Sequence, residues 1–369
     1  MARILFYAPF NQRSRDTESL MIAFRRQGHE VTCLSQQEGS QIFDVLKANG
    51  IKVVSKIFPG VRVGWWYFIK HIVFFIQFCR SNKVDIVYSH LEPGNFVASI
   101  AQHFVHAKVY LCRHHNDEGL LYKYDHDISY KITYGLASRV IVVSEKARRH
   151  MVNVEGANAK KLTHINLAYD FGLYDRGTDA NVAAIRNNVG GQVVLLSVGR
   201  LTVYKRPELT IRVLNALVAA GLDASLVILG QGEMKVELES LAKELGLQNR
   251  VVMPGYVNNV LEYMRASDFL VYPSINDSSS VTVKEAGLVQ LPVIICKGVG
   301  DFDEYISDGK NGFVVDPAHF VEEASKIIVA NANNPRLADM GIALKTSIIE
   351  RFDVDNVIHE YDALNRISR

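Results

Sequence analysis

The chain has little cysteine and no strong excess of charge of either sign. Its 369 residues contain four cysteines, and no two of them form a C-x-x-C pair. Cysteines scattered in this way predict neither a zinc site nor a disulfide framework, so we expect reduced thiols in a cytoplasmic protein. The formal net charge is +2. This is too small for the broad basic surface of a protein that binds nucleic acid.

Long apolar runs are scarce as well. The first residues, MARILFYAPFNQ, form a short apolar run that stops at Pro9. This run predicts a strand, because it lacks the long apolar core and the small-residue cleavage site of a signal peptide. The most apolar segment, residues 63–80, contains Lys70, His71 and Gln77 and is short for a membrane span.

Two interpretations of residues 63–80 remain open. Lys70 and Gln77 fall on one helical face and leave a wide apolar remainder, so we favour a helix that packs against a sheet. The alternative is a helix that lies in a membrane interface, with Trp65, Trp66 and Lys70 at the level of the headgroups. In that case the protein would be peripheral at the inner face of the membrane.

A chain of this length exceeds the usual size of one hydrophobic core, so two domains are expected. In both halves short apolar strands alternate with helical patterns, which predicts right-handed βαβ units and mostly parallel sheets. The alternation lapses over the polar residues 170–190, where we place the domain junction. The predicted domains are 1–172 and 173–353, and a last helix near 354–369 can pack back on the first domain.

The predicted elements follow from these apolar patterns. Strands are expected at 4–7, 31–34, 85–89, 108–112, 140–143, 193–197, 224–229, 251–253, 269–272, 293–296 and 313–315. Helices are expected at 18–27, 207–220, 233–245, 260–264, 285–289, 320–331 and 335–352. Ligands of parallel sheets bind beyond the carboxyl ends of the strands, so we expect the site in a cleft between the domains.

The most informative stretch covers residues 272–317. A strand ends at Pro273, a polar loop with three serines follows, and a helix begins near Ser280. The first turn of a helix leaves backbone N–H groups unpaired, and with the helix dipole they form an anion site. Glu285 projects from the same turns, where its carboxylate can accept hydrogen bonds from sugar hydroxyls. An anion beside a diol is what a nucleotide presents.

Two cations are expected near this helix start. Arg200 and Lys205 lie in the turn VGRLTVYKRPEL, between the strand 193–197 and a helix. Arginine offers a planar fork and lysine a mobile point charge, so together they could hold a diphosphate from two sides. A solvated surface position is the ordinary interpretation of either residue alone. Their joint position at the end of a strand favours a role in binding a ligand.

An ordered set of motifs resembles the family-four retaining glycosyltransferases. The motifs are GRL, ILGQGE, PGYV, YPS and LPVI, followed by E-x-I-x-D-G-x-x-G, and in the first half RQGHEV, DIVYSHLEPGNF, RHHND and VIVVSE. The resemblance covers almost the whole chain. It implies an α/β fold of the GT-B architecture, with two Rossmann-like, doubly wound domains that face a central cleft. The first domain would bind the acceptor and the second the nucleotide-sugar donor.

The resemblance also implies roles for single residues in the second half. Arg200 and Lys205 would bind the donor diphosphate and stabilise its charge as it leaves. Glu285 would hold the ribose. Asp277 stands where the family usually has glutamate, near the donor sugar and the reacting centre. Further donor contacts are implied for Gly199, Gly255, Tyr256, Ser280, Val281 and Thr282.

In the first half the resemblance implies a catalytic histidine. His114 matches a family histidine that reaches the donor sugar, and His115 is the adjacent alternative. The first turn lacks the family's glycine pair and instead contains Arg13 and Arg15. These arginines are candidate contacts to phosphate or to an acidic acceptor, with an exposed turn as the alternative.

The implied reaction moves a sugar from a nucleoside-diphosphate sugar, of the UDP or GDP type, to a glycan or lipid-linked acceptor. We expect a role in the synthesis of bacterial surface polysaccharide or glycolipid. The leaving diphosphate gains negative charge, and fixed cations and aligned N–H groups lower that barrier. No cofactor is implied. The sequence sets no oligomeric state.

A metal site needs separate consideration, because D-x-D pairs occur at 125–127, 301–303 and 353–355. In a different glycosyltransferase architecture such a pair holds Mn²⁺ or Mg²⁺ through oxygen ligands. The pattern is short and common in chains that contain acidic residues. Since Arg200 and Lys205 already supply positive charge, we expect no catalytic metal.

Two other functions compete with this interpretation. Residues 277–280 read Asp-Ser-Ser-Ser where the family has Glu-Gly-Phe-Gly, so a non-catalytic GT-B protein that binds nucleotide is the alternative. A nicotinamide-dependent oxidoreductase needs a G-x-G-x-x-G turn after the first strand. Residues 8–15 contain no glycine, which argues against it.

Overall fold

The structure, a computed structural model, describes residues 1–9, 14–39, 42–59, 64–114, 127–332 and 334–366. The chain forms two compact units, one of Met1–Asp170 with Phe352–Arg369 and one of Phe171–Arg351. Each unit contains one parallel sheet with helices around it. The α/β architecture expected from the sequence is therefore confirmed.

The first unit has a seven-stranded parallel sheet in the order β3-β2-β1-β4-β5-β6-β7. Its strands are β1 Arg3–Ala8, β2 Glu30–Ser35, β3 Lys52–Ser55, β4 Ile86–His90, β5 Lys108–Arg113, β6 Arg139–Val142 and β7 Leu162–His164. Its first six helices are α1 Arg15–Arg26, α2 Ile42–Ala48, α3 Trp65–Ser81, α4 Gly94–Ala101, α5 Asp127–Leu136 and α6 Glu145–Asn153. The strand order reverses between β1 and β4, which is where ligands bind in doubly wound sheets.

Both faces of this sheet are buried, as the apolar strands predict. On one face Phe6 and Tyr88 pack with Phe24 of α1, whose ring centre lies 5.7 Å from that of Tyr88. On the other face Tyr7 packs with Phe75 of α3, at 4.8 Å between ring centres. Helix α3 thus contributes one face to the core of the first unit.

The second unit has a six-stranded parallel sheet in the order β10-β9-β8-β11-β12-β13. Its strands are β8 Val193–Val198, β9 Ala224–Leu229, β10 Val251–Gly255, β11 Phe269–Tyr272, β12 Val293–Cys296 and β13 Phe313–Val315. Its helices are α7 Asp179–Val189, α8 Pro207–Ala219, α9 Lys235–Glu244, α10 Val260–Arg265, α11 Val281–Leu288, α12 Phe320–Asn331 and α13 Arg336–Phe352. The order reverses between β8 and β11, so loops after these two strands border the same crevice.

The last helix, α14 Val354–Arg366, belongs to the first unit. Its apolar side, including Ile358 and Tyr361, is buried against α1 and the sheet. The Tyr88 hydroxyl donates to the side chain of Asn365 at 2.9 Å, and the Tyr110 hydroxyl donates to the carbonyl of Leu364 at 3.2 Å. Residues at both ends of the chain therefore share one core.

The four cysteines are free thiols, and all are buried. In the described ranges, no helix has both the length and the apolar character needed to cross a bilayer.

Candidate functional site

The loops at the carboxyl end of the second sheet are joined by backbone hydrogen bonds. The amide of Gly199, after β8, donates to the carbonyl of Leu229 at 3.0 Å. The amide of Leu201 donates to the Gln231 carbonyl at 2.9 Å, and that of Gly230 to the Gly255 carbonyl at 2.9 Å. Three successive strand ends are thus tied together beside the point where the strand order reverses.

Two glycines of the ILGQGE motif make this close approach possible. A Cβ at Gly230 would lie 1.8 Å from the carbonyl oxygen of Gly199, and one at Gly232 would lie 2.2 Å from that of Leu201. Real Cβ atoms do not come that near to backbone oxygen, so only glycine allows this packing. The GRL and GQG motifs therefore depend on each other, although about thirty residues separate them.

A small pocket, open to solvent, lies at these strand ends. Its lining includes Ser197, Gly199, Arg200, Lys205, Tyr272 and Pro273. The structure thus brings together three of the predicted site residues. Arg200 is exposed, and its guanidinium carbon lies 5.5 Å from the ring centre of Tyr204.

Lys205 is the centre of a compact polar cluster in this pocket. It ends a short 3₁₀ turn, Val203–Lys205, and its Nζ donates to the Tyr272 hydroxyl and to Asp277 Oδ2, both at 2.6 Å. The Tyr272 hydroxyl also donates to Asp277 Oδ2, at 2.5 Å. The side chains of Lys205 and Asp277 are only 15% and 17% exposed, so water screens this ion pair weakly.

The ionisation of the cluster follows from its burial and its charges. Burial lowers the pKa of Lys205, but Tyr272 and Asp277 raise it by more, so the net pKa lies above the ordinary value. Burial raises the pKa of Asp277, yet the Lys205 ammonium more than offsets this and lowers it. Burial, and then the Asp277 carboxylate, raise the pKa of Tyr272. At neutral pH the cluster holds an ammonium, a carboxylate and a neutral phenol.

The start of helix α11 joins the same cluster. Ser280 precedes Val281, the first helical residue, as the sequence predicts. Its hydroxyl does not cap the helix; instead it donates to the Tyr272 hydroxyl at 3.1 Å. The first N–H groups of α11, which include those of Val281 and Thr282, have no carbonyl partner within the helix. They add a partial positive charge beside the Lys205 cluster.

A second ion pair lies behind this helix start and is fully buried. Lys284 Nζ donates to Asp301 Oδ2 at 3.0 Å, and both side chains are 0% exposed. The same ammonium donates to Ser279 Oγ at 2.8 Å and to the Ser280 carbonyl at 3.3 Å. Ser279 Oγ in turn donates to Asp301 Oδ2 at 2.5 Å. Lys284 therefore ties the 279–280 backbone to the loop that follows β12.

Burial dominates the ionisation of this second pair. It lowers the pKa of Lys284 and raises the pKa of Asp301, and in each case the partner's charge offsets only part of the shift. Asp301 belongs to one of the D-x-D pairs, and here it is engaged with Lys284 and Ser279. Among the described residues, no group of three or more His, Cys, Asp or Glu side chains is placed to hold a metal ion.

The remaining predicted residues of the second unit lie at the edges of this arrangement. Glu285 is on α11 one turn after its start and is 8% exposed. Gly255 ends β10 with a φ of +85°, and its carbonyl accepts from Gly230. The ring of Tyr256, next in the chain, is 69% exposed. The roles of Glu285 and Tyr256 in donor binding stay predictions.

Arg206 is a residue whose role the sequence did not reveal. It is in the left-handed region at φ +51°, and its guanidinium donates to the Pro273 carbonyl at 2.8 Å and the Pro317 carbonyl at 2.9 Å. It also lies 3.2 Å from Cys296 Sγ. Arg206 thus anchors the ends of β11, β12 and β13 to the turn that contains Lys205. In the sequence it is one basic residue beside another, and only the fold separates their roles.

At the carboxyl end of the first sheet two histidines meet. His90 ends β4 and His114 follows β5, and His90 Nδ1 lies 2.8 Å from His114 Nε2. His114 Nδ1 lies 3.8 Å from Asp16 Oδ2, in the first turn of α1. Ser14 Oγ donates to the other Asp16 oxygen at 2.6 Å. A carboxylate and two imidazoles are thus aligned where the strand order reverses.

Both imidazoles are held in the neutral form. Burial lowers the pKa of His90 well below its ordinary value, and the neighbouring His114 lowers it further. Burial also lowers the pKa of His114, and Asp16 offsets only part of this. Two neutral imidazoles can share one N–H, so one ring donates and the other accepts. The sequence predicted His114 as a site residue and gave no sign of His90 or Asp16.

The strand end that precedes His114 is fixed by another buried ion pair. Arg113 is 0% exposed and donates to both carboxylate oxygens of Glu155, at 3.0 and 2.6 Å. Its guanidinium carbon lies 5.2 Å from the ring centre of Tyr134. A bidentate pair of this kind restrains direction as well as distance. Sequence reasoning missed Arg113, because its partner is distant in the chain.

Two of the remaining first-unit candidates, Arg13 and His115, lie outside the described residues. Arg15 is the first residue of α1 and is half-buried. It precedes Asp16, whose Oδ2 lies 3.8 Å from His114 Nδ1. A contact between Arg15 and a ligand stays a prediction.

Comparison with known proteins identifies the family. Residues 181–343 match the family described as Glycosyl transferases group 1, and residues 14–171 match the one described as Glycosyltransferase Family 4. The chain is a GT-B glycosyltransferase of group 1. The predicted family and its glycosyltransferase function are therefore confirmed.

Individual relatives of this glycosyltransferase are distant in sequence. An uncharacterised glycosyltransferase of Methanocaldococcus jannaschii is 26% identical over 362 residues, which cover 91% of this chain and 89% of that protein. A Campylobacter jejuni enzyme, N-acetylgalactosamine-N,N'-diacetylbacillosaminyl-diphospho-undecaprenol 4-alpha-N-acetylgalactosaminyltransferase, is 24% identical over 246 residues, 65% of each chain. Several other curated relatives match over about half of their own length.

Among solved structures, HepE of Anabaena in complex with UDP-glucose is similar to the glycosyltransferase along its whole length. The TM-score is 0.82 at 20% sequence identity, with 100% of both chains covered. The complex of HepE with UDP gives a TM-score of 0.83, with 99% of this chain and 100% of that chain covered. At this level of identity the likeness establishes the GT-B fold.

Proposed function

We propose that this glycosyltransferase moves a sugar from a nucleoside-diphosphate sugar to a glycan or lipid-linked acceptor. The observation that carries the proposal is the Lys205–Asp277–Tyr272 cluster beside the start of α11, in a pocket that also presents Arg200. The donor diphosphate would bind there. The structural likeness to HepE, which binds UDP-glucose, favours a UDP-sugar as the donor.

Lys205 has the donor capacity that this role needs. An ammonium carries three N–H donors, and its described hydrogen bonds to Tyr272 and Asp277 use two of them. The third can donate to a phosphate oxygen without loss of either existing bond. Because Asp277 and Tyr272 already hold the ammonium in place, little reorganisation is needed when the diphosphate binds.

The other side of the diphosphate would meet Arg200 and helix α11. Arg200 is exposed, so its planar fork can turn towards the ligand and donate two parallel hydrogen bonds. The N–H groups at Val281 and Thr282 and the helix dipole favour an anion at the same place. Glu285, on the following turn, would accept hydrogen bonds from the ribose.

These groups act most strongly when the sugar–phosphate bond breaks. Negative charge then grows on the diphosphate, while positive charge grows on the sugar ring. Fixed cations and N–H groups that face the diphosphate stabilise that state more than the ground state, which is the requirement for catalysis. The positive charge that stabilises the leaving diphosphate comes from Arg200 and Lys205. The proposed transfer proceeds with retention of the anomeric configuration and without added metal.

Asp277 takes a more specific role than the sequence predicted. Its Oδ2 accepts from Lys205 and Tyr272, and its Oδ1 accepts from the amide of Ser278 at 3.1 Å. With both oxygens engaged, Asp277 is best placed to position Lys205. We therefore propose Asp277 as a positioning residue for the diphosphate, and keep His114 as the predicted histidine near the donor sugar.

The acceptor class rests on the relatives. The Campylobacter jejuni relative acts, by its name, on a diphospho-undecaprenol-linked acceptor. A Staphylococcus aureus relative is a poly(ribitol-phosphate) alpha-N-acetylglucosaminyltransferase, and matches 44% of this chain. Such acceptors belong to surface polymers and lipid-linked glycans. We propose that class for this enzyme too, within bacterial surface polysaccharide or glycolipid synthesis.

The test is turnover of a donor panel. UDP- and GDP-sugars are first screened by thermal shift, since a ligand that binds the native state raises the apparent stability. Donors that bind are then assayed for hydrolysis and for transfer to lipid-linked and polymeric acceptors, with and without EDTA. Retention is read from the anomeric configuration of the product by NMR.

The expected result is turnover that EDTA leaves unchanged and that Arg200→Ala and Lys205→Ala reduce strongly. Lys235→Ala, which removes an exposed lysine from α9, serves as the matched control. Near-normal turnover in both site variants would overturn the proposed diphosphate site. Donor binding without transfer or hydrolysis across the whole panel would instead support a nucleotide-binding protein without catalysis.

A further inference from the structure

Helix α3 has two faces that differ in their exposure to solvent. Its inner face is buried through His71, Phe75 and Cys79, which recur every four residues, and Phe75 and Cys79 belong to the core that covers the sheet. This matches the helix packing that the sequence favours for residues 63–80. The opposite face is apolar as well, although it is exposed to solvent.

The outer face of α3, defined by Trp65, Trp66, Ile69, Lys70 and Val73, is unusual for a soluble surface. The indole side chains of Trp65 and Trp66 are 78% and 73% exposed, and Ile69 and Val73 are 44% and 49% exposed. These four large apolar side chains fall within nine consecutive residues of one helix. Grouped exposed apolar side chains of this kind mark a surface that meets another apolar phase.

The segment of sequence that contains this helix carries charge of one sign. Over residues 45–84 the sequence contains no aspartate or glutamate, whereas the whole chain has 39 acidic residues against 41 basic ones. The same forty positions contain seven basic residues, Lys47, Lys52, Lys56, Arg62, Lys70, Arg80 and Lys83, of which Arg62 lies outside the described residues. A locally cationic surface in a nearly neutral protein predicts an anionic partner.

Two of these lysines lie directly beside the aromatic side chains. Lys56 Nζ is 4.9 Å from the ring centre of Phe58 and 5.3 Å from that of Phe74. Lys70 Nζ is 5.7 Å from the same Phe58 ring. The ammonium groups thus border an aromatic surface, as in helices that rest between headgroups and acyl chains.

We propose that the outer face of α3 binds the surface of an anionic lipid bilayer. The helix would lie in the plane of the interface, with Trp65 and Trp66 among the headgroups and Lys70 against lipid phosphate. Seventeen residues give α3 a length of about 25 Å, which allows contact with several headgroups at once. This inference does not depend on the donor site, and it accounts for exposed side chains that the transfer reaction does not use.

The charge pattern favours a bilayer over a second copy of this chain. In a symmetric dimer through α3, Lys70 of each copy and the lysines of the same segment would approach their own kind, and residues 45–84 supply no acidic residue to pair with them. Like charges of this density repel, and interface cores are depleted of lysine. An anionic bilayer neutralises the same charges and accepts the indole rings.

Intrinsic tryptophan fluorescence serves as the reporter for the test. The chain contains two tryptophans, both on the outer face of α3, so all intrinsic tryptophan fluorescence comes from this surface. The intact protein is titrated with vesicles of phosphatidylcholine containing phosphatidylglycerol, and separately with vesicles of phosphatidylcholine alone. We expect a blue shift and protection from acrylamide quenching with the anionic vesicles, and a loss of both effects at high salt.

Variants are then compared by vesicle flotation, which needs no fluorescence. Trp65→Ala/Trp66→Ala should abolish flotation, and Lys70→Glu should weaken binding by about fivefold or more, as expected for loss of one cation near an anionic membrane. The matched controls are Val236→Ala/Ile342→Ala and Lys243→Glu, which alter exposed side chains of the second unit. These controls should float as the wild-type protein does.

Each other outcome would contradict the proposal. An emission spectrum that no vesicle changes would show that the indoles do not enter a bilayer. Equal binding to neutral and anionic vesicles would refute the role of the cations. A blue shift that depends on protein concentration in the absence of lipid, with a larger particle in light scattering, would identify a second copy of the chain as the occupant.

Discussion

The two sheets of this glycosyltransferase end in chemically opposite ways. The second sheet ends in ion pairs, with Lys205 against Asp277 and Lys284 against Asp301. The first sheet also has an ion pair, between Arg113 and Glu155, but where its strand order reverses it ends in the neutral imidazoles of His90 and His114, next to the single carboxylate of Asp16. Both places lie where the strand order reverses, so the same topology supports two different electrostatic environments.

The difference indicates what each site has to bind. Fixed charge that is held by partners before a ligand arrives suits a diphosphate, whose negative charge grows during the reaction. Buried neutral imidazoles suit hydroxyl groups, to which they can donate or from which they can accept. This contrast supports a donor site in the second unit, and keeps the first unit as the predicted acceptor domain.

The largest effect is expected when one member of the fully buried ion pair at the end of the second sheet is removed. Lys284→Met leaves the Asp301 carboxylate without its cation in a dry environment, and should lower the free energy of unfolding by about 3–5 kcal/mol. Urea denaturation measures this. The double variant Lys284→Met/Asp301→Leu should recover most of the loss.

The control for this experiment is an exposed ion pair. Lys326 and Glu322 form such a pair on α12, with side chains 73% and 64% exposed. Lys326→Met should change the stability little. If Lys284→Met were equally harmless, the buried pair would not hold the 279–280 segment in place.

The next largest effect is expected on turnover. Lys205→Ala removes one donor to the developing negative charge and should raise the barrier by about 3 kcal/mol, which is a loss of two orders of magnitude in kcat/KM. Steady-state kinetics with the best donor measures it. Asp277→Asn, which keeps the size of the side chain, should lower turnover less, because it weakens the positioning of Lys205 without removing the cation.

A smaller effect should follow from crowding the loop contact in the second unit. Gly232→Ala places a Cβ where the Leu201 carbonyl stands, and should destabilise the protein by about 1–3 kcal/mol and weaken binding of UDP. Gly135→Ala is the matched control, since a Cβ there meets no atom within 4 Å. Calorimetric titration with UDP would show a comparable affinity in both variants if the loops were not coupled.

The smallest expected effect is the pH dependence of stability that the two histidines of the first unit cause. Folding lowers the pKa of His90 and His114 below the unfolded value of about 6.5, so the unfolded chain binds more protons below that pH. The contribution of the two neutral histidines to the free energy of unfolding is complete above pH 6.5. It is lost as the pH falls towards the pKa values of the folded state. His90, whose pKa lies well below its ordinary value, should remove about 1 kcal/mol of stability between pH 6.5 and 5.5, and His114 should act in the same direction.

Denaturation of the wild type and of His90→Gln over this pH range checks the slope. The variant should depend less steeply on pH, whereas His359→Gln, which changes an exposed histidine of α14, should keep the wild-type slope. Identical slopes in all three proteins would mean that the histidine pair is not held neutral.

The sequence predicts the second unit better than the first, and the reason is physical. The bounds of β9, β11, β12, β13 and α12 agree with the prediction to the residue, because short apolar runs between clear turns define them. The edge strands β3 and β7 were not predicted, since they have four and three residues and are only partly buried. Helix α7 was missed because it buries no side chain completely.

The residues of the candidate site were also predicted only in part. The pattern of strands and turns identified Lys205 and Ser280, because each follows a strand end that the apolar pattern already located, and the resemblance to the family implied Asp277. Tyr272, Lys284 and His90 were not identified as site residues. Their partners come from other strands, and a sequence without its fold does not show which strand ends are neighbours.

A crystal of the intact protein soaked with UDP tests the proposed donor site directly. We expect the diphosphate in the pocket after β8 and β11, with phosphate oxygens within hydrogen-bond distance, about 3 Å, of Lys205 Nζ and the Arg200 guanidinium. The ribose should face Glu285. A diphosphate bound elsewhere, with Lys205 still paired only to Tyr272 and Asp277, would contradict the proposed donor site.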